Sequence, residues 1–216
     1  MSEIIGVMAG TPVDTKMGVD LLINRGFKAK GYPMARNPKE QSRMQLLSKE
    51  ELYERVLATL KEARGEGIEK FFVYCNSLSA AVDMDRVSRE TDSLIIITPF
   101  TAYYDLAKDF STLLILAANG QACAKIETIL EEANEGIRIW SLSALPLVEE
   151  IEKATPPRVI YHKLALEKIV GWAEEMDVEG ILLGCTHFPY LIDVLTRNTR
   201  IPIIDPAERM IEKLRK

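Results

Sequence analysis

The sequence predicts an α/β protein of two pseudo-symmetric lobes, each a mostly parallel sheet flanked by helices, with the active site in the cleft between the lobes. Three observations predict it. Short apolar runs rich in Ile, Leu and Val alternate with longer amphipathic stretches, the pattern of strand–helix units that build parallel sheets. The apolar runs are continuous rather than alternating, as expected of strands covered on both faces. The sequence also repeats: the stretch 68–77, ending Cys75-Asn76-Ser77, has the layout of 178–187, ending Cys185-Thr186-His187, at an offset of 110 residues.

Taken in order, strands are expected over 4–8, 70–74, 94–98, 112–117, 138–141, 180–184 and 202–204. Helices are expected over 15–24, 49–65, 122–134, 145–154, 161–176 and 207–215. The second of these is well marked, since Ser48 stands three residues before Glu51 in a capping-box spacing and Gly65 or Gly67 can close the helix. Two further matches support the repeat: 5–12 resembles 115–122 at the same offset, and Ile97-Thr98-Pro99 resembles Ile204-Asp205-Pro206. The first lobe is therefore assigned residues 1–98 with 201–216, and the second 99–200, joined by a short crossing near Pro99.

Composition narrows the function. The chain has 216 residues, 47% hydrophobic and 27% charged, which gives ample material for a core and excludes disordered and collagen-like chains. A formal net charge of −5, with no Lys/Arg block among aromatics, argues against a nucleic-acid groove or an anionic-membrane surface and for small metabolites. The longest apolar runs fall far short of the roughly 20 residues of a membrane span, and the N-terminus shows no basic-then-apolar leader pattern. The expectation is a cytoplasmic protein whose three cysteines remain thiols.

Both Cys75 and Cys185 sit where an apolar strand gives way to small polar residues, the place where open parallel sheets bind ligands. Equivalent thiols on two facing lobes would reach a substrate from opposite sides. That suits removal of a proton from one face of a carbon and delivery to the other, thiolate as base and thiol as acid. Other readings stand beside it. A strand-end cysteine is often a small buried hydrophobe. Cys185 and His187 could supply two zinc ligands, although no C-x2-C pair accompanies them, and the same absence weighs against a redox dithiol.

The segments Tyr74-Cys75-Asn76-Ser77 and Gly184-Cys185-Thr186-His187-Phe188-Pro189 resemble the two active-site signatures of the cofactor-independent aspartate/glutamate racemase superfamily. The resemblance extends to the stretch 203–208, similar to that family's closing strand and turn, and to Pro146-Leu147-Val148-Glu149-Glu150, which looks like its mid-chain acidic motif. It implies a racemase acting on aspartate or glutamate with no organic cofactor and no metal. By the same resemblance Cys75 and Cys185 are the catalytic acid/bases, His187 and Glu149 assist Cys185, and a homodimer is common. The start of the chain departs from the glutamate racemase pattern. Where that enzyme carries Asp-Ser-Gly, this chain carries Met8-Ala9-Gly10-Thr11-Pro12, closer to the aspartate branch, while His187 stands where that branch usually has Glu. Related isomerases acting on hydantoins or maleate, decarboxylation of a malonate, and a catalytically silent binding protein remain alternatives.

The expected substrate-binding residues are Gly10, Thr11 and Thr15 after the first strand, and Asn76, Ser77 and Thr186 beside the cysteines. Turn formation and helix capping compete for the same side chains. Arg36, Gln41, Ser42 and Arg43 could grip a distal carboxylate or lie on the surface. His162 is read as structural, and Cys123 as an ordinary helix-start thiol.

Overall fold

The computed structural model describes residues 3–36, 40, 43–44, 46–92 and 94–215. Their strands form two four-stranded sheets in which every pairing is parallel. In the first, β1 (Ile4–Ala9), β2 (Lys28–Pro33), β3 (Lys70–Val73) and β4 (Ile95–Ile97) lie in the order β2-β1-β3-β4. In the second, β5 (Thr112–Ala117), β6 (Arg138–Ser143), β7 (Gly180–Gly184) and β8 (Ile203–Ile204) lie in the order β6-β5-β7-β8. Matched one to one, the two orders are the same. The repeat in the sequence is thus a repeat of topology, and the chain divides into Met1–Pro99 with Arg209–Lys216 and Phe100–Glu208.

The helices of the first unit are α1 (Pro12–Asn24), α2 (Lys49–Gly65), α3 (Asn76–Ala81) and α4 (Met84–Glu90). After α5 (Pro99–Leu106) the second unit carries α6 (Gly120–Ala133), α7 (Leu145–Glu152), α8 (Pro157–Lys163), α9 (Leu166–Glu175) and α10 (Ile192–Thr196). The last helix, α11 (Ala207–Leu214), contains the point where the chain returns to the first unit. No helix of the described residues is long and apolar enough to cross a membrane.

The central strands β5 and β7 are buried at every residue, which is why they read as unbroken apolar runs. Alternation then sorts the side chains: Leu113, Ile115 and Ala117 pack with Ala122, Ile126 and Leu130 of α6, leaving Leu114 and Leu116 for the opposite face. In the first unit α2 starts with the expected capping box between Ser48 and Glu51 and buries Leu52, Val56, Leu60 and Ala63 along one stripe. Such a strip of aliphatic side chains holds the helix on its sheet.

Four features differ from the sequence reading. The strand β2 was not expected, because Lys28, Lys30 and Gly31 dilute its apolar content, and an edge strand with exposed positions needs little. The terminal strand β8 pairs with β7, so residues 201–208 belong to the second unit rather than the first. The single helix expected over 161–176 is two, broken where Ala165 takes a left-handed φ of 52°. The short helices α3, α4, α5 and α10 were also not expected, since five to eight residues give too little periodicity to detect.

Candidate active site

The first cysteine is placed by strand β3. Tyr74 continues it, its N–H donating to the Met8 carbonyl at 2.7 Å. Helix α1 lies close against this residue: a Cβ on Gly18 would stand 3.0 Å from the Tyr74 ring and 2.8 Å from Val7 Cγ1, so only glycine permits the approach. Cys75 follows in extended conformation and caps α3, its carbonyl receiving the Ser79 hydroxyl at 2.8 Å and the Ser79 N–H at 3.1 Å. Cys75 and Asn76 are buried and Ser77 is half-buried.

The end of β1 is built by a carboxylate that the sequence reading passed over. Asp14 is 1% exposed, and accepts the Thr11 N–H at 2.6 Å, the Thr11 hydroxyl at 3.0 Å and the Gly10 N–H at 3.1 Å. With Thr11 it closes a capping box at the start of α1. The three-residue spacing of Thr11 and Asp14, with Pro12 and Val13 between them, is the signal in the sequence. Thr11 therefore spends its hydroxyl on the turn. Thr15, one turn further on, is buried with its Oγ1 bonded to no group among the described residues.

The second cysteine follows β7. A Cβ on Gly184 would meet Ile126 Cδ1 at 2.8 Å and the Leu116 carbonyl at 3.1 Å, so the residue before Cys185 must be small. The chain then turns sharply, Phe188 N–H donating to the Cys185 carbonyl at 3.0 Å, into a short 3-10 helix at Phe188–Leu191. This turn brings His187 back over Cys185. The Cys185 sulfur lies 3.8 Å from His187 Nδ1, and His187 Nε2 lies 2.7 Å from Glu152 Oε1 at the end of α7. His187 is 2% exposed, and Cys185 and Thr186 are buried beside it.

The carboxylate on His187 is Glu152, which corrects the expectation of Glu149. On α7 the residues Leu147, Glu150 and Ile151 face inward. Glu149 falls on the opposite, exposed side, whereas Glu152 sits at the edge of the inward face. Glu150 is occupied elsewhere: Lys163 at 2.9 Å and Lys153 at 3.0 Å hold its carboxyl far below the usual range, at about 2.

With Glu152 as acceptor, His187 carries its proton on Nε2 and turns the lone pair of Nδ1 toward the thiol. Transfer of the thiol proton would leave a thiolate beside an imidazolium that Glu152 stabilises. Cys123 lies in the core of the second unit instead, its thiol pushed up by burial and by Glu127, which keeps it protonated. Arg36, Arg43 and His162 are exposed, and Gln41 and Ser42 lie outside the described residues. Among the described residues no three His, Cys, Asp or Glu side chains gather as metal ligands.

The two repeated parallel α/β units each carry a buried thiol just beyond an inner strand, Cys75 after β3 and Cys185 after β7. No established family profile matches the chain. It is 24% identical over 170 residues to glutamate racemase 3 of Caldanaerobacter subterraneus, covering 76% of this chain and 60% of that protein. Among solved structures, glutamate racemase of Francisella tularensis with D-glutamate superposes at TM-score 0.74 and 20% identity, over 99% of this chain and 80% of the other. An aspartate racemase homologue of Pyrococcus horikoshii superposes at TM-score 0.65 and 20% identity, over the whole of both chains. The chain is thus similar in sequence to glutamate racemases and shares its fold with solved glutamate racemases and an aspartate racemase homologue. It spans about 60% of the length of the first curated relatives it matches.

Proposed function

We propose that the protein is a cofactor-independent amino-acid racemase that passes the α-proton of aspartate or glutamate between Cys75 and Cys185. The observation that carries this reading is the Cys185–His187–Glu152 array, a thiol with a base and an orienting carboxylate at the end of an inner strand. Cys75 supports it from the equivalent position of the other repeat.

In one direction the Cys185 thiolate takes the α-proton, and the electron pair left on the α-carbon spreads into the substrate carboxylate. The Cys75 thiol then delivers its proton to the opposite face. The enzyme is left with the two thiol states exchanged, and the reverse reaction restores them. The carbanion is the costly species, so donors aimed at the substrate carboxylate carry much of the rate enhancement. Asn76, Ser77 and Thr186 are assigned to that role beside the cysteines, with Gly10, Thr11 and Thr15 shaping the β1 end. The acidic substrate rests on the glutamate racemase relatives and the aspartate racemase homologue.

Chiral chromatography tests this: reduced protein incubated with L-aspartate and with L-glutamate, without pyridoxal phosphate, should convert one toward an equal mixture of enantiomers. If both remain L, the acidic-amino-acid assignment is wrong.

A further inference from the structure

On the second unit, the sheet face opposite α6 carries Leu114, and α9 lies beside it where the sheet ends at the edge strand β6. Leu114 is register partner to Trp140, and Leu142 follows on the same face two residues along. Helix α9 buries Leu166, Val170 and Ala173 but presents Lys168, Ile169 and Trp172 toward this edge. Between them lies an opening of ≈ 310 Å³, lined by Leu114, Trp140, Leu142, Lys168, Ile169 and Trp172.

Three properties give this opening a chemistry. Its walls are apolar and aromatic, with the two indoles at 85° and their centroids 5.1 Å apart, and Trp172 remains 38% exposed. Trp140 Nε1–H is buried yet donates to no group among the described residues, and an unmade buried donor of this kind rewards an incoming acceptor. Lys168 stands at the exposed rim, and no carboxylate of the described residues pairs with it. Its ammonium complements an anion, and the volume lies within the range of small-ligand sites.

We propose that this opening binds a small aryl carboxylate, with the ring between the indoles and Leu142, an acceptor atom at Trp140 Nε1–H and the acid toward Lys168. This site is separate from the cysteine chemistry and does not rest on it. The ring gains from aromatic and aliphatic burial, whereas the acid gains a charge-assisted contact that its amide lacks.

The chain's two tryptophans are both in the opening, so its two indole N–H signals report on this site alone. The test is an indole-region ¹⁵N–¹H NMR titration of the full chain with phenylacetate and with its neutral analogue phenylacetamide, the peaks assigned with Trp172→Phe. The expected result is a saturable downfield shift of the Trp140 signal. Lys168→Met, at an exposed position, should weaken phenylacetate about tenfold while leaving phenylacetamide unchanged. Shifts that never saturate, or an equal loss for acid and amide in Lys168→Met, would overturn the proposal. Shifts that follow protein concentration without ligand would also overturn it, by giving the opening to a second copy of the chain.

Discussion

His187 stands between an acid and a thiol: Nε2 is 2.7 Å from Glu152 Oε1 and Nδ1 is 3.8 Å from the Cys185 sulfur. With Glu152 as the acceptor of the Nε2 proton, the lone pair of Nδ1 faces the sulfur. Glu152→Gln keeps the shape and removes the charge. It should lower kcat by about ten- to a hundredfold with little change in KM, while Glu149→Gln stays within about twofold of the parent. Steady-state racemization kinetics on the two variants check this, and equal effects would return the role to Glu149.

The turn after β1 depends on Asp14 more than on Thr11. Thr11→Ala removes a helix cap and should cost about 1 kcal/mol of unfolding free energy. Asp14→Ala orphans the buried N–H groups of Gly10 and Thr11 and should cost about 1–3 kcal/mol. Urea denaturation of both variants measures the difference. A smaller loss for Asp14→Ala than for Thr11→Ala would contradict this account of the turn.

Gly184→Ala should damage both stability and turnover. The added methyl meets the Leu116 carbonyl, backbone that cannot swing aside, so β7 must shift and carry Cys185 with it. A destabilisation of about 1–3 kcal/mol is expected, as for overpacking elsewhere. Turnover measured well below the melting temperature should also fall. Unaltered kinetics would show that Cys185 tolerates displacement.

The acid limb of the stability curve carries the signature of Glu150. Its carboxyl is held at about 2 in the folded protein by Lys163 and Lys153, against an unfolded value of about 4.3. A folded value below the unfolded one gives stability that is fully present above about pH 4.3 and is lost as pH falls toward 2. Glu150→Gln should therefore lower Tm near neutral pH and converge with the parent below about pH 2. Calorimetry across that range tests the sign, and parallel curves would be evidence against the pair of lysines as the cause.

Much of this was legible in the sequence because the physics was local. The strands β1, β3, β5 and β7 announce themselves as apolar runs because both faces are covered, and the duplicated layout around Cys75 and Cys185 reveals the repeat. The edge strand β2 was hidden because an exposed edge tolerates Lys28 and Lys30. Glu152 was hidden for another reason. A run containing Glu149, Glu150 and Glu152 has three carboxylates within one turn of helix, and only the tertiary packing of α7 decides which one faces His187. Asp14 is legible in its three-residue spacing to Thr11, the signature of a capping pair at the β1 turn.

The central claim is that two thiols work on one carbon, and proton NMR of the substrate in D₂O tests it most directly. With the parent protein, L-aspartate or L-glutamate should lose its α-proton signal as the D enantiomer appears, without pyridoxal phosphate. Cys75→Ser and Cys185→Ser, each shown folded by circular dichroism, should both fall by at least about a hundredfold in racemization. A variant of either cysteine that racemizes at the parental rate would contradict the account.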